Sequence, residues 1–352
     1  MKSIVLSFLF VAIASMVHAT VLILDQNGNA PSGSNIYGTF PLALDAASSG
    51  DTILVIPSTS SYGNFGISIP LVIIGAGFNP DSQVPTTSKA ATVTINSGQN
   101  GTAIIGMEIT LINIGNGAGS LNNIMIENNK IGRLKNQGIS NLASVIIRQN
   151  IFEAPVNQSP ITLSTATQSD ILVSNNIISR GSSGSNYYGP SVTSGGVTFD
   201  YNLFLGNWAN HAAFLQLVDC YVTNNIFYGS SPGFTSASSN VDYQNNISFG
   251  GATNTFPPSG TNITATNNGS SDPDFVDLSS GTFKYLYTLD ATLKTGSPAL
   301  TAGIGSTEIG IYGGSSPFKN SGSVVPVVKS LLLPTTIQQG TNTTADIVVS
   351  GN

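Results

Sequence analysis

Charge is what this sequence has least of. Only 8% of its 352 residues are Asp, Glu, Lys or Arg, against about 25% in an ordinary soluble domain, so Asn, Ser, Thr and Gly must cover its surface instead. The 11 basic and 17 acidic residues leave a formal net charge of −6. No Lys/Arg cluster stands out, which argues against nucleic acid or an acidic membrane surface as a partner. There is 1 cysteine, Cys220, which excludes an intrachain disulfide framework; its apolar neighbours read it as a small buried residue. Of 2 histidines, His18 and His211, the first lies in an apolar leader, which leaves no basis for a His-built metal site. No P-loop, G-x-S-x-G or dinucleotide fingerprint occurs in its required context.

Long apolar runs are also missing. Ile4 to Met16 is the one long stretch near the start, preceded by Lys2 and followed by Val17-His18-Ala19, the small-residue pattern at which a signal peptidase cuts. It is short for a membrane span, and nothing later reaches the roughly 18 apolar residues that one needs. The pattern predicts a signal peptide over residues 1–19 and an exported product, extracellular or on the cell surface.

What the chain does have is a repeat. The segments NIMIENNKI, SVIIRQNIF, DILVSNNII, GVTFDYNLF, DCYVTNNIF, NVDYQNNIS and NITATNNGS align on a polar step whose second member is Asn129, Asn150, Asn176, Asn202, Asn225, Asn246 and Asn268. The intervals are 21, 26, 26, 23, 21 and 22 residues. The residues five and three before each Asn are apolar and alternate with polar ones, the pattern of a half-buried strand. The first row runs Ile124, Val145, Ile171, Val197, Cys220, Val241, Ile263; the second runs Ile126, Ile147, Val173, Phe199, Val222, Tyr243, Ala265. Both are predicted to face inward.

Short strands at such a period, with turns too brief for a packed helix, stack as a parallel coil. The fold class is all-β: a single-stranded right-handed parallel β-helix with an N-terminal cap and a short C-terminal β tail. Each Asn is then expected at the corner after the strand, in a left-handed conformation, with its amide bonded to its copies about 4.8 Å above and below. The expected organisation is the leader over 1–19, the β-helix with end caps over 20–314, a linker over 315–325, and a tail of two strands over 326–352. The cap would be a short helix opening at Pro41, followed by a strand from Thr52. The stretch after the last Asn loses the period and is expected to close the far end.

With these residues in view, the chain resembles the right-handed parallel β-helix, or pectate-lyase-like, proteins exported by bacteria. AASSGDTILVIPS is similar to that family's entry into its first coil, and NNIF and NNII to its Asn ladder. DPDFVD, GSPAL and IGIYGG resemble the closing segment of surface-directed members of Bacteroidetes type. The resemblance covers most of residues 20–314 and is specific for fold; the fold hosts lyases, hydrolases and adhesins alike. For a lyase it implies acidic calcium ligands and a basic proton abstractor on one outward sheet, and no calcium site can be matched to this sequence.

Candidate chemistry divides accordingly. Outward residues Glu127, Arg148, Ser174 and Asp200 stand on successive coils, and Arg148 with Asp200 forms the low-ranked catalytic alternative; an ordinary ion pair with Glu127 accounts for Arg148. Asp170 and Asp219 occupy a strand-entry position that favours turn-forming Asp, not the paired carboxyls of a glycoside hydrolase. The better binding candidates lie on two longer turns: Tyr187, Tyr188, Asn207, Trp208, Asn210 and His211, rings for a sugar's C–H face and amides for its hydroxyls. Outward Met125, Ile146 and Leu172 make an apolar patch that a loop near 153–169 or the C-terminal tail should cover. The reading is an exported, cell-surface scaffold that binds a polysaccharide or cell-surface glycan or mediates adhesion, without catalysis or cofactor. The alternative is a polysaccharide lyase or glycoside hydrolase, and calcium enters only with the lyase.

Overall fold

Strands this short can satisfy their backbone groups only on an equivalent strand one turn of chain away. The computed structural model describes residues 19–28, 35–79, 86–164, 167–180, 188–206, 212–279, 281–282, 284–320, 327–332 and 346–350. Residues 1–18 of the expected leader lie outside that set. Ser120–Glu127 pairs parallel with Asn141–Arg148, and the series continues through Thr167–Ser174, Val197–Asp200, Gln216–Thr223, Ser239–Gln244 and Thr261–Thr266. Toward the N-terminus the same sheet takes in Ala103–Ile105, Val72–Ile74, Thr52–Val55 and Val21–Leu24. After this first face the chain turns a corner into a second face, which includes Ile151–Ala154, Ile177–Arg180, Leu203–Leu205 and Ile226–Tyr228. A third face, including Phe65–Ile67, Ile161–Leu163 and Ser191–Val192, leads back. This is a parallel β-helix.

Both predicted inward rows are buried, except that Ile263 and Ala265 on the last coil are half-buried. The second face adds Phe152, Ile178, Phe204 and Phe227 to the interior. Phe204 stacks on Phe227 with centroids 4.8 Å apart, and Phe214 meets Phe204 edge-on at 5.0 Å. Each such side chain taken out of water contributes about 1.5–3 kcal/mol.

The Asn ladder forms. Amide-to-amide hydrogen bonds run from Asn129 to Asn150, Asn176, Asn202, Asn225, Asn246 and Asn268 at 2.8–3.1 Å. Each Oδ1 also accepts the backbone N–H of the Asn one coil earlier, at 2.8–3.0 Å. The left-handed conformation, however, belongs to the residue before the ladder Asn: Asn128, Gln149, Asn175, Tyr201, Asn224, Asn245 and Asn267 have φ of 52–56°. The two jobs are split because a left-handed residue aims its side chain away from the core, while the next residue, back in extended geometry, aims inward.

A second left-handed row precedes each ladder Asn by six residues: Asn123, Ser144, Asp170, Asp219, Asn240 and Asn262, with φ of 51–56°. Gly196 fills the position on the remaining coil at φ 70°, and a Cβ there would run into the Gln168 carbonyl. These residues bend the strand as it enters the first face, which is the physical reason for Asp170 and Asp219.

At the N-terminal end the expected helix forms over Phe40–Ala46 with Pro41 in its first turn. Phe40 stacks on Phe65 at 3.5 Å and, with Ala43, packs on the end of the core. The stretch after the last rung departs from expectation: it does not close the far end but runs back along the outside. Its Phe275, Tyr285, Ile309, Ile311 and Phe318 form a separate apolar cluster with Ile151, Ile177, Leu203, Ile226 and Ile247, the outward residues that follow five of the seven ladder Asn. The outward corner side chains hold this strap in order. Asn245 donates to Ala302 O, Asn175 to Ile311 O and Gly313 O, and Gln149 to Ser316 O and Pro317 O, at 2.8–3.2 Å. Asn79 donates to Asn320 O at 2.9 Å. Polarity does not forbid an apolar outward row once a strap covers it.

Residues 316–320, inside the expected linker, are therefore packed on the coil, and Phe318 is buried. Val327–Leu332 and Asp346–Ser350 pair as an antiparallel hairpin. Met125, Ile146 and Leu172 are half-buried. The 153–169 segment does not cover them, because Ile151–Ala154 and Ile161–Leu163 are themselves rungs of the second and third faces.

Candidate functional site

The two aromatic turns fall between the second and third faces, on adjacent coils. Tyr187, Asn207, Trp208, Asn210 and His211 lie outside the described residues. Tyr188 is described and 36% exposed. It stands three residues before Ser191, where the third face begins. The backbone there fits closely: Leu215 N–H donates to Pro190 O at 3.0 Å.

The outward row that includes Arg148 and Asp200 is in register as predicted, with Ser174 between the two, about 10 Å by strand spacing. Arg148 Nε lies 3.1 Å from Glu127 Oε1, and its other nitrogens donate to Glu127 and to Ser316 on the strap. Asp200 Oδ1 accepts Thr223 Oγ1 at 2.7 Å and Asn224 Nδ2 at 2.8 Å. Burial pushes the Asp200 carboxyl above its usual range, and these hydrogen bonds offset part of that rise. Both side chains thus hold the corner and the strap in place, and the structure does not bring them together. The lyase alternative asks for a cluster of acidic calcium ligands. Among the described residues no group of three or more His, Cys, Asp or Glu is close enough to hold a metal ion, so these residues do not fit one.

A different feature of the third face escaped the sequence reading. Gly66, Thr94, Asn113, Lys135, Thr162, Ser191 and Gln216 follow one another in parallel register, one per coil. From Thr94 to Gln216 they form a polar stripe along the coil axis, with Lys135 as its single charge and with Asn113 and Ser191 buried. Asn113 donates to Thr94 Oγ1 at 3.3 Å, while its buried Oδ1 has no partner. At one end the stripe opens into a shallow concavity of ≈ 500 Å³ lined by Asn64, Phe65, Gly66, Thr92, Thr94, Asn96 and Asn116. Beyond the other end, beside Ala212, lies a hollow of ≈ 370 Å³. Ser231, Thr253, Thr255 and Ser259 line it beside Phe234, Pro257 and Pro258. Neither lining contains a charged residue. The stripe was hidden because its rungs lack the Asn step and the loops leading to it differ in length. The usable signal was the Thr92–Thr94 alternation against buried Val93 and Ile95.

No protein-family model matches the chain, and no curated protein matches it. Among solved structures it is similar to the crystal structure of pectate lyase Pel9A, at 15% identity and a TM-score of 0.49, over 85% of this chain and 95% of that chain. The assignment as a parallel β-helix rests on the strand registers above.

Proposed function

We propose that this chain, a parallel β-helix of pectate-lyase-like fold, is an exported, cell-surface scaffold that binds neutral glycans along its third face or mediates adhesion through them, without catalysis. The observation that carries this reading is the nearly charge-free polar stripe with an uncharged hollow toward each end. The half-buried Thr94, Lys135, Thr162 and Gln216 of this stripe, on coils stacked ~4.8 Å apart, offer polar partners to successive units of a linear chain of sugars. Hollows of ≈ 500 and ≈ 370 Å³ fall within the range of ligand sites, about 300–1,000 Å³. Tyr188, 36% exposed and three residues before Ser191 of the stripe, supports a ring contact; Tyr187, Asn207, Trp208, Asn210 and His211 join this reading on their chemistry alone. Arg148 and Asp200 are taken up by structural contacts, which weighs against the lyase or hydrolase alternative.

The test is a panel of neutral and acidic polysaccharides, each measured for binding and for release of new ends. Neutral glycans should bind, and Asn96→Ala with Asn116→Ala should weaken binding at least tenfold without lowering Tm by more than a few degrees. Cleavage that is lost in Asp200→Asn would overturn the reading in favour of the enzyme.

A further inference from the structure

The first face is apolar on its outside as well as its inside over the N-terminal half of the coil. Val21, Val72, Ala103, Met125, Ile146 and Leu172 share one outward row, broken only by Thr52. Two residues along, Ile23, Leu54, Ile74 and Ile105 form a second row before Glu127 takes over. Seven rungs at ~4.8 Å and two rows ~7 Å apart give a flat patch about 30 Å long and 10 Å wide, on the order of 300 Å². Val21 is 49% exposed, Ala103 is buried and the other apolar members of the two rows are half-buried; apolar patches of this size are often functional.

We infer that the C-terminal hairpin of Val327–Leu332 and Asp346–Ser350 docks on this apolar face within the same chain. Three observations select it. The hairpin's strands, VVKSLL and DIVVS, are mostly apolar in sequence, and their register pairs Val328 with Val349 and Leu331 with Ile347 across an irregularity between Val328 and Ser330. A two-stranded hairpin is marginal in water unless it packs against another surface. Chain reach agrees: Asn320 is tied to Asn79, five residues past Ile74, and the six residues 321–326 span up to ~20 Å. Area agrees as well. The patch falls well short of the roughly 800 Å² per partner of a stable protein–protein interface, but it accommodates two strands of about six residues, ~20 Å by ~10 Å.

The test uses the full chain with paired substitutions: Leu331→Cys with Leu54→Cys, Ile74→Cys or Ile105→Cys, and with Thr264→Cys on the last coil as control. Cys220 is buried, and burial pushes its thiol up to about 12, so it stays silent. A disulfide requires Cα atoms within about 7 Å. At least one patch pair should close an intrachain disulfide on mild oxidation, and the control should not. A disulfide-linked dimer, showing a second copy on the face, or no closure in any patch pair, would overturn the inference. Hydrogen exchange gives an independent reading. Amides of 328–332 should exchange at least 100-fold more slowly than an unstructured chain, and Leu331→Asp with Ile347→Asp should abolish that protection while leaving the ladder coils unchanged. Unprotected hairpin amides in the unsubstituted protein would also overturn it.

Discussion

Asn176→Ala isolates what one interior rung of the ladder contributes. The Asn176 side chain is fully buried. Its Oδ1 accepts the Asn150 backbone N–H at 2.9 Å and Asn150 Nδ2 at 3.0 Å, while its Nδ2 donates to Ile147 O at 2.8 Å and Asn202 Oδ1 at 3.0 Å. Truncation does not harm all four partners equally. Asn202 Oδ1 keeps the Asn176 backbone N–H, and Asn150 Nδ2 keeps the carbonyls of Ile126 and Arg148. The Asn150 N–H and the Ile147 carbonyl lose their Asn176 partner in a dry interior, at about 1–3 kcal/mol each, or roughly 2–6 kcal/mol together. At the terminal rung, Asn268 is half-buried, water can replace its amide, and Asn268→Ala should cost about 1 kcal/mol. In urea unfolding with a slope of about 3 kcal/mol/M, the interior variant should shift the midpoint by on the order of 1 M and the terminal one by a third of that or less. Equal shifts for the two would refute the claim that buried amide pairing, rather than the Asn residue as such, holds the corner.

Two further outcomes follow from the corner and the strap. Burial raises the Asp200 carboxyl, so between its unfolded and folded pKa values the folded state holds a proton that the unfolded state has lost, and stability falls as pH rises through that window. Asp200→Asn removes this dependence: its Tm should equal or exceed the parent's at pH 7, and its advantage should shrink as the pH is lowered to about 4; a parent that gains on the variant as pH rises would contradict this. Ile311→Asp places an unpaired charge in the cluster under the strap, a change costing about 3 kcal/mol or more. It should expose 270–320 to protease at least tenfold faster while the coil keeps its strand signal, and unchanged proteolysis would show that the strap is not held by this contact.

The coils from Asn129 onward were legible because one residue type marks every corner and the two inward rows alternate strictly before it. The earlier coils were not. There Gly106 takes the left-handed position at φ 69° and Met107 the inward one. Gly satisfies the backbone without an amide, and the Met107 N–H simply donates to Asn129 Oδ1 at 2.9 Å to start the ladder. The division of labour in each Asn pair was also invisible, since both members are Asn at 128–129, 175–176, 224–225, 245–246 and 267–268; only the left-handed geometry of the first sends it outward to the strap. The aromatic loops were readable as composition, but loop conformation has no period to betray it. The polar stripe needed the register of the third face, which loop lengths conceal.

The strap changes what kind of object the coil is. A stack in which each turn touches only its neighbours gains or loses whole turns with little penalty, because every junction is alike. Here one extended segment is tied at Asn245, Asn224, Asn175, Gln149 and finally Asn79, so it acts as a ruler laid against the stack. Inserting or deleting one turn would move all anchors beyond it by ~4.8 Å and strip the strap from its seats. Length variation in this architecture is therefore confined to the turns that project sideways, and the number of coils is locked by the segment that follows them.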